Sequence, residues 1–580
     1  MALTCLVVCF ALPWEWSGLQ RPVTEDDAVL QEEVELLLTH PVDLNRATTD
    51  ELLAIPWLNP LLAYRIVALR DSLSGFRDVR QLRNVSGMTE DCYRSLLPVV
   101  AVSRSVESDR VYDLLARSTT KGLPPTTGSM SFLGRLRLRE ASRQVSAVVE
   151  KDRCERSWVD WAGIGFGCER PGLSLVFGDF SVSSGLGLVL SGPHRRSAAG
   201  WSAGYGGPEA LSLAGSALEN RNLRGAGGEI RMADWRIGGS ASMAGRDAKL
   251  DSAGRVVRLV SSGTHCDSAS QNRVQERSVG LMAAGRWSRF RLSFCGCGVD
   301  YSRHFAAGSS GGSFSGNSLA SGSAGIEAAV GDYLVRAEAA ISTGGGGAGA
   351  FELNGRWKNL AVAMTAAGYD ECYFAPLGRW RMLSGRQSRI ECRARLAYDK
   401  GGLHVGLRGN THRDFALDSL PARAELELGY ERGVVDCDLR LGRSYRLDQE
   451  RSRTARLNIE CRFESGRGVA LLLADEYREQ AEGRGMMIGL AAKSEGEFLW
   501  FALTAARFDI TGSGTGMYLG EYGPMRTALD FYTSRSAWRA GLGLGCRFGS
   551  GTGLGLRFGW TRNETTAFEI GTRLELRLHS

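Results

Sequence analysis

Ala567–Leu578, AFEIGTRLELRL, alternates without a break. Phe568, Ile570, Leu574, Leu576 and Leu578 fall on one face of an extended strand, and Glu569, Arg573, Glu575 and Arg577 on the other, because successive strand side chains point to opposite faces. The same pattern recurs upstream. Ile390, Cys392, Ala394, Leu396 and Tyr398 alternate with Arg389, Glu391, Arg393 and Arg395; Leu457, Ile459, Cys461 and Phe463 alternate with Arg456, Asn458, Glu460 and Arg462; Ala424, Leu426, Leu428 and Tyr430 alternate with Arg423, Glu425 and Glu427. Each face needs its own solvent. Lipid outside and a polar lumen inside satisfy both, so the pattern predicts a large antiparallel transmembrane β-barrel, of the kind found in outer membranes.

Composition fits. Glycine accounts for 74 of 580 residues, about 13% against a usual ~7%, and it sits among alternating strands, as turns and tight bends in a β-rich protein require. No run of eighteen apolar residues follows the first dozen positions, which excludes a helical membrane protein. The formal charge of +6 is unevenly spread: residues 24–100 carry thirteen carboxylates and seven arginines, and the rest of the chain is correspondingly basic. Thirteen cysteines show no CxxC and no finger-like spacing with histidine. Cys295 and Cys297 fall on one strand face, a poor geometry for bonding each other, and most of the others stand where a small apolar residue fits.

At the amino terminus, MALTCLVVCFAL has the apolar core of a secretion signal, assigned to residues 1–18, although no basic residue precedes it. Residues 24–40 follow as an acidic amphipathic helix, with Val29, Leu30, Val34, Leu37 and Leu38 at helical spacing and Glu25, Asp26 and Asp27 in its first turn. Residues 41–100 then read as a small all-α domain. Thr48 and Glu51 form a capping box; the turn Ile55–Pro60 leads into a helix over about Leu61 to Arg70; a short helix near Val79–Leu82 leads to a second turn, Val85–Thr89, and a last helix ends at Pro98.

The DLNRAT opening, the ELLAIP helix, Phe76 with DVRQL and the VSG turn resemble the tandem helix-hairpin-helix domain of the competence DNA-receptor family. With the acidic helix before it and the β-rich tail behind, the whole resembles Bacteroidetes-type outer-membrane proteins that carry such a module ahead of a barrel. The resemblance implies that the hairpin turns, Trp57, Leu58, Asn59 and Gly87, Met88, Thr89, make the contacts, to a phosphate or to a partner. DNA-binding members use a Gly-apolar-Gly turn whose bare N–H groups meet a phosphate at a helix N-terminus. Here the first turn has neither glycine and the second has one. The module is also acidic overall, whereas affinity for nucleic acid comes largely from cations. Both observations disfavour nucleic acid and favour a periplasmic protein partner.

Residues 101–125 read as a linker with a helical turn at Val111–Arg117, and 126–580 as the barrel, of roughly 22–26 strands. Gly172–Pro193, GLSLVFGDFSVSSGLGLVLSGP, resembles a segment of such barrels in which a Gly-Asp-Phe strand enters a glycine-punctuated turn. Polar or Gly/Ser-rich stretches at about 194–225, 263–277, 302–320, 343–349 and 509–533 read as external loops. Asp399–Gly402, Glu431–Gly433 and Glu495–Gly496 read as hairpin turns. Trp287, Trp357, Trp500 and Trp560 near strand ends suit an interfacial girdle. The chain ends Leu578-His579-Ser580, without the terminal aromatic frequent in this class.

Nothing points to catalysis. Seven scattered histidines show no metal-ligand spacing. Gly308–Gly312 matches GxSxG by letter but lies in a Gly/Ser tract with no strand-to-helix setting. GLG at 185–187 lacks the last glycine of a dinucleotide fingerprint. No catalytic, metal or cofactor residue is assigned. The expected function is passage or envelope assembly in the outer membrane, with a periplasmic module that gates or docks. DNA uptake and a secreted, soluble β-rich adhesin or scaffold are the rivals.

Overall fold

In a computed structural model the described chain comprises Leu37, most of residues 41–102 and the greater part of 110–579. Each alternating segment forms a strand paired antiparallel with its neighbour, and the last, Thr566–His579, pairs with the first, Arg110–Lys121, from Val111 opposite His579 to Lys121 opposite Glu569. That contact closes the sheet and removes its unpaired edges. An all-antiparallel closed wall needs an even number of strands. Of 27 strands in the sheet, Ala210–Leu213, Ala248–Leu250 and Val256–Leu259 are short side pieces, leaving 24 in the wall among the described residues. This lies within the range the sequence suggested.

The strand Arg110–Lys121 corrects the sequence reading, which placed a helical turn there in a linker. Helical spacing over seven residues is weak information. The alternation of Tyr112, Leu114 and Ala116 with Asp113, Leu115 and Arg117 wins because two neighbours, Met130–Glu140 and Thr566–His579, pair with the strand from Val111 to Thr120 on both sides.

Alternation sorts the two faces of the wall. On Gly483–Glu495, Met486, Ile488 and Leu490 are exposed while Met487 and Ala491 are buried; on Leu499–Thr511, Leu499, Phe501 and Leu503 are exposed while Ala502, Thr504 and Ala506 are buried. On Arg389–Lys400, Ile390, Leu396 and Tyr398 face out and Glu391 and Arg395 face in, as the sequence requires. Among the described residues the outside of the barrel is therefore an apolar belt.

The two ends differ. At one end the strands join through tight turns at 233–234, 331–332 and 358–359, and only two residues separate Val274–Trp287 from Phe290–Phe305, Arg389–Lys400 from Leu403–Asp414, and Pro421–Arg432 from Val435–Arg446; at the other end the strands are far apart in the chain, with 184–222, 247–273 and 370–388 between them. Exposed Trp235, Phe290, Trp357, Tyr398 and Tyr430 ring the tight-turn end, where amphipathic rings suit a membrane interface. Trp500 departs from this expectation: it points inward, with its indole over Gly545, where no side chain competes for the space. The loops expected at 302–320 and 509–533 are shorter than they read, since strands Phe290–Phe305 and Gly316–Val330 run into the first and a hairpin, Met517–Tyr522 with Ala528–Thr533, occupies the second.

The amino-terminal module enters at the tight-turn end. Its core gathers Leu44, Ala47, Leu52, Ile55, Leu58, Ala63, Ile66, Phe76, Leu82, Val85, Tyr93, Leu96 and Val99, and helical Leu37 packs into it. Helix α1 (Pro60–Ser72) and the 3₁₀ turn Val79–Asn84 lie where the sequence put them. The 3₁₀ turn carries its own capping box, Asp78 with Gln81. Thr48, Glu51 and residues 24–36 lie outside the described residues. Two short parallel strands, Val42–Asp43 and Val100–Ala101, tie the ends of the module together.

Candidate functional site

The lumen is not polar throughout. Over the strands from Val274 to Tyr369 the inward positions carry Met282, Cys295, Cys297, Val299, Leu319, Ala340, Ala350 and Ala367, all buried in one apolar cluster. Here the expectation of an ionic interior fails, because a piece of the chain fills the lumen on this side.

That piece is the Gly-Asp-Phe segment. Strand Leu173–Ser183 pairs with Trp161–Arg170 only as far as Gly178 opposite Gly165. Gly178 has φ +88°, and a Cβ there would run into the Ile164 carbonyl; only glycine fits. Past this point the Asp179 carboxylate accepts the Ile164 N–H at 2.9 Å, in place of a ladder bond, and pairs with Arg224 at 2.8 Å. The strand thus leaves one neighbour without stranding a buried donor, and Phe180 and Val182 become buried. A Gly178→Val variant is expected to lose about 1–3 kcal/mol through backbone strain, read as a lowered midpoint of the heat-modifiable gel shift.

Ser184–Gly192 then folds inward as a hairpin. The Ser184 N–H donates to the Leu190 carbonyl at 3.0 Å, and Gly185 and Gly187 take φ +54° and +87°. The Glu338 carboxylate, on the facing wall, accepts the N–H groups of Leu186 and Leu188. A second inward segment, Asp370–Gly378, closes over the hairpin: the Tyr373 hydroxyl donates to the Leu188 carbonyl at 2.9 Å and the Ser191 N–H donates to the Leu377 carbonyl at 2.8 Å. Leu186, Leu188, Val189 and Leu190 are all nearly fully buried, each gaining roughly 1.5–3 kcal/mol over exposure. Leu190 rests against Gly280 of the wall.

A second cluster forms at the tight-turn mouth, where helix α1 meets the barrel. The Tyr64 hydroxyl donates to Glu327 Oε1 at 2.7 Å and accepts from Arg286 Nη2 at 2.6 Å, with that guanidinium 4.7 Å above the Tyr64 ring. Arg336 lies between Glu327 and Glu352, bonding the latter at 3.2 Å. Arg65 pairs with Asp332 in the 331–332 turn, and its other nitrogen donates to the Ser86 carbonyl at 2.9 Å. Burial, and next the Glu327 carboxylate, push the Tyr64 phenol well above its usual range. A raised acid keeps its neutral form, so the stabilisation is complete below the ordinary tyrosine pKa of ~10 and is lost only at pH beyond it. Tyr64→Phe is expected to weaken docking by about 1–2 kcal/mol, seen as loss of the docked population between distance labels at Arg80 and Lys358.

Of the turn residues named from sequence, Trp57, Asn59 and Thr89 lie outside the described residues. Leu58 is buried in the module core and Met88 packs against it. Gly87 has φ +86°, and the Arg65 guanidinium lies where its Cβ would be. The second turn is therefore held by an arginine that also grips the barrel rim. The residues that join module and barrel (Tyr64, Arg65, Arg286, Glu327, Asp332) were not legible as a site, since they meet only across some 220–270 positions of chain. Among the described residues no cluster of His, Cys, Asp or Glu could hold a metal, and no helix is long and apolar enough to cross a membrane.

Residues 39–100 match the family described as helix-hairpin-helix motif. No curated protein matches the chain. Among solved structures, the chain is similar to the P pilus usher (PapC) translocation pore, at 10% identity and TM-score 0.41 over 81% of this chain and 99% of that one. It is also similar to the siderophore receptor PirA from Acinetobacter baumannii (7%, TM-score 0.39, 82% of each chain) and to OccK3 (OpdO) from Pseudomonas aeruginosa (14%, TM-score 0.31, 52% of this chain and 91% of that one).

Proposed function

We propose that the chain is an outer-membrane barrel for passage of a solute or polymer, with the helix-hairpin-helix module on the periplasmic side as a gate and as a docking platform for a periplasmic protein. One observation carries this: a closed 24-strand wall has its exposed apolar belt outside, and the module is anchored at the tight-turn mouth. A belt this extensive is unstable in water and fits bilayer hydrocarbon. The basic balance of the chain beyond residue 100 favours anionic cargo through focused electrostatics.

For the module, a protein partner is the better-supported ligand. Its second turn is already engaged by Arg65, and its first buries Leu58 in the core. The test is membrane fractionation with protease shaving of intact cells, joined to filter binding of labelled duplex DNA by the full chain in detergent. The reading expects membrane recovery, a module cleaved only after the outer membrane is permeabilised, and no salt-sensitive DNA retention. Recovery in the soluble fraction would overturn it; salt-sensitive retention would replace docking by DNA uptake.

A further inference from the structure

We propose that the seat of the inward hairpin is a peptide-binding site, filled in cis by Ser184–Gly192, whose ligand in trans is an apolar, glycine-punctuated peptide that takes up the same turn. Four hydrogen bonds between seat and hairpin go to the main chain of the hairpin. Glu338 accepts the N–H groups of Leu186 and Leu188, Tyr373 donates to the Leu188 carbonyl, and the Leu377 carbonyl accepts the Ser191 N–H. The side chains of the hairpin that enter the seat, Leu186, Leu188, Val189 and Leu190, are all apolar, and the wall beneath them is small and apolar: Gly280, Cys295, Cys297 and Ala340. Main-chain hydrogen bonds hold a bound peptide whatever its side chains, and the apolar lining selects among them.

The hairpin is also attached as a ligand would be. The strand that leads into it leaves Trp161–Arg170 at Gly178, where Asp179 replaces the lost ladder bond, and its pairing with Leu223–Met232 and Ala210–Leu213 ends at Phe180 and Ser183, so lifting Ser184–Gly192 breaks none of these strand pairings. The approach is close: a Cβ at Gly185 would stand 2.8 Å from the Glu338 carboxyl carbon, and one at Gly378 would strike the Leu188 carbonyl. The seat therefore selects residues without bulk at the position facing Glu338 and apolar residues beside it. A buried carboxylate that accepts main-chain N–H groups would be costly if it stayed empty. The cis hairpin supplies two donors to its Oε2 until a competing peptide arrives.

The full chain in detergent, with Leu188→Asp and Leu190→Asp to unseat the hairpin and leave the seat intact, is titrated with a labelled peptide SSGLGLVLSG, the sequence of residues 183–192. Heat-modifiable mobility reports the folded barrel. Fluorescence polarisation is expected to show binding about tenfold or more tighter than to the wild type, whose seat is occupied. N-methylation of the amides of the first and second leucines, those of Leu186 and Leu188, or addition of Glu338→Ala, should weaken it about tenfold. Should the doubly charged variant fail to fold, Leu188→Ala with Leu190→Ala serves, with the same order of affinities. A folded variant that binds no better than wild type, or equal binding of methylated and parent peptides, overturns the proposal. Binding read in detergent does not depend on membrane passage, so its failure is distinct from failure of the passage reading.

Discussion

Glu276→Ala is expected to destabilise the barrel by about 3–5 kcal/mol, more than any single apolar truncation on the outer face. Glu276 and Arg246 are each 1% exposed and bond at 2.7 and 2.8 Å. Tyr301, directly opposite Glu276 on the next strand, is fully buried and donates its hydroxyl to the second carboxylate oxygen at 2.9 Å. Around them lie Val256, Val274 and Phe305, all buried. Truncating the acid leaves a guanidinium in an apolar lumen, and the desolvation of that charge, not the worth of the pair, sets the loss. Two companions separate these terms. Arg246→Met together with Glu276→Met removes both charges and should recover most of the stability, while Tyr301→Phe should cost about 1–2 kcal/mol, one hydrogen bond to a charged acceptor. Denaturant titration of the refolded barrel measures all three. A Glu276→Ala loss under about 1 kcal/mol would mean that water reaches Arg246, and that the lumen on this side is wet.

The wall was legible because it is built from local period: strand Arg389–Lys400 and strand Pro421–Arg432 carry their inside and outside letter by letter, and a closed sheet needs only that pattern repeated. The lumen was less so. Where Cys295, Cys297, Ala340 and Ala350 replace Arg and Glu at inward positions, the alternation weakens, and that weakening is itself the signal of something packed against the wall. The segment VSSGLGLVLSG shows the complement: an apolar run with no alternation and too many glycines for a wall strand. Neither feature names its partner. Glu338 and the turn it holds are 150 residues apart, as Tyr64 and Glu327 are 263 apart; chain closure brings them together, and no spacing rule reports it. Trp500 was misplaced for a related reason. Its position at a strand end suggested the girdle, but its parity on the strand puts it with Ala502 and Thr504, and parity decides the face.

Leu490→Arg is expected to cost about 2–4 kcal/mol when the barrel is refolded into lipid vesicles. Leu490 is eighth of thirteen residues in Gly483–Glu495, exposed on the outer face between strands that carry Leu471, Leu473 and Leu503 at neighbouring positions. At that height a guanidinium sits near the bilayer midplane, with hydrocarbon on every side. Trp357→Arg, at the tight-turn rim, should cost only about 0–1 kcal/mol, because near the interface the charge reaches water. The difference between the two positions carries the information. If the outer face met water, an exposed leucine exchanged for arginine would change stability by about 0.5 kcal/mol or less, wherever it stood. A depth-dependent penalty therefore requires the hydrocarbon that the belt of Leu503, Ile488 and Phe501 is built to meet. Equal and small effects at Leu490 and Trp357 would instead describe a soluble barrel, and the passage proposed for its lumen would have no membrane to cross.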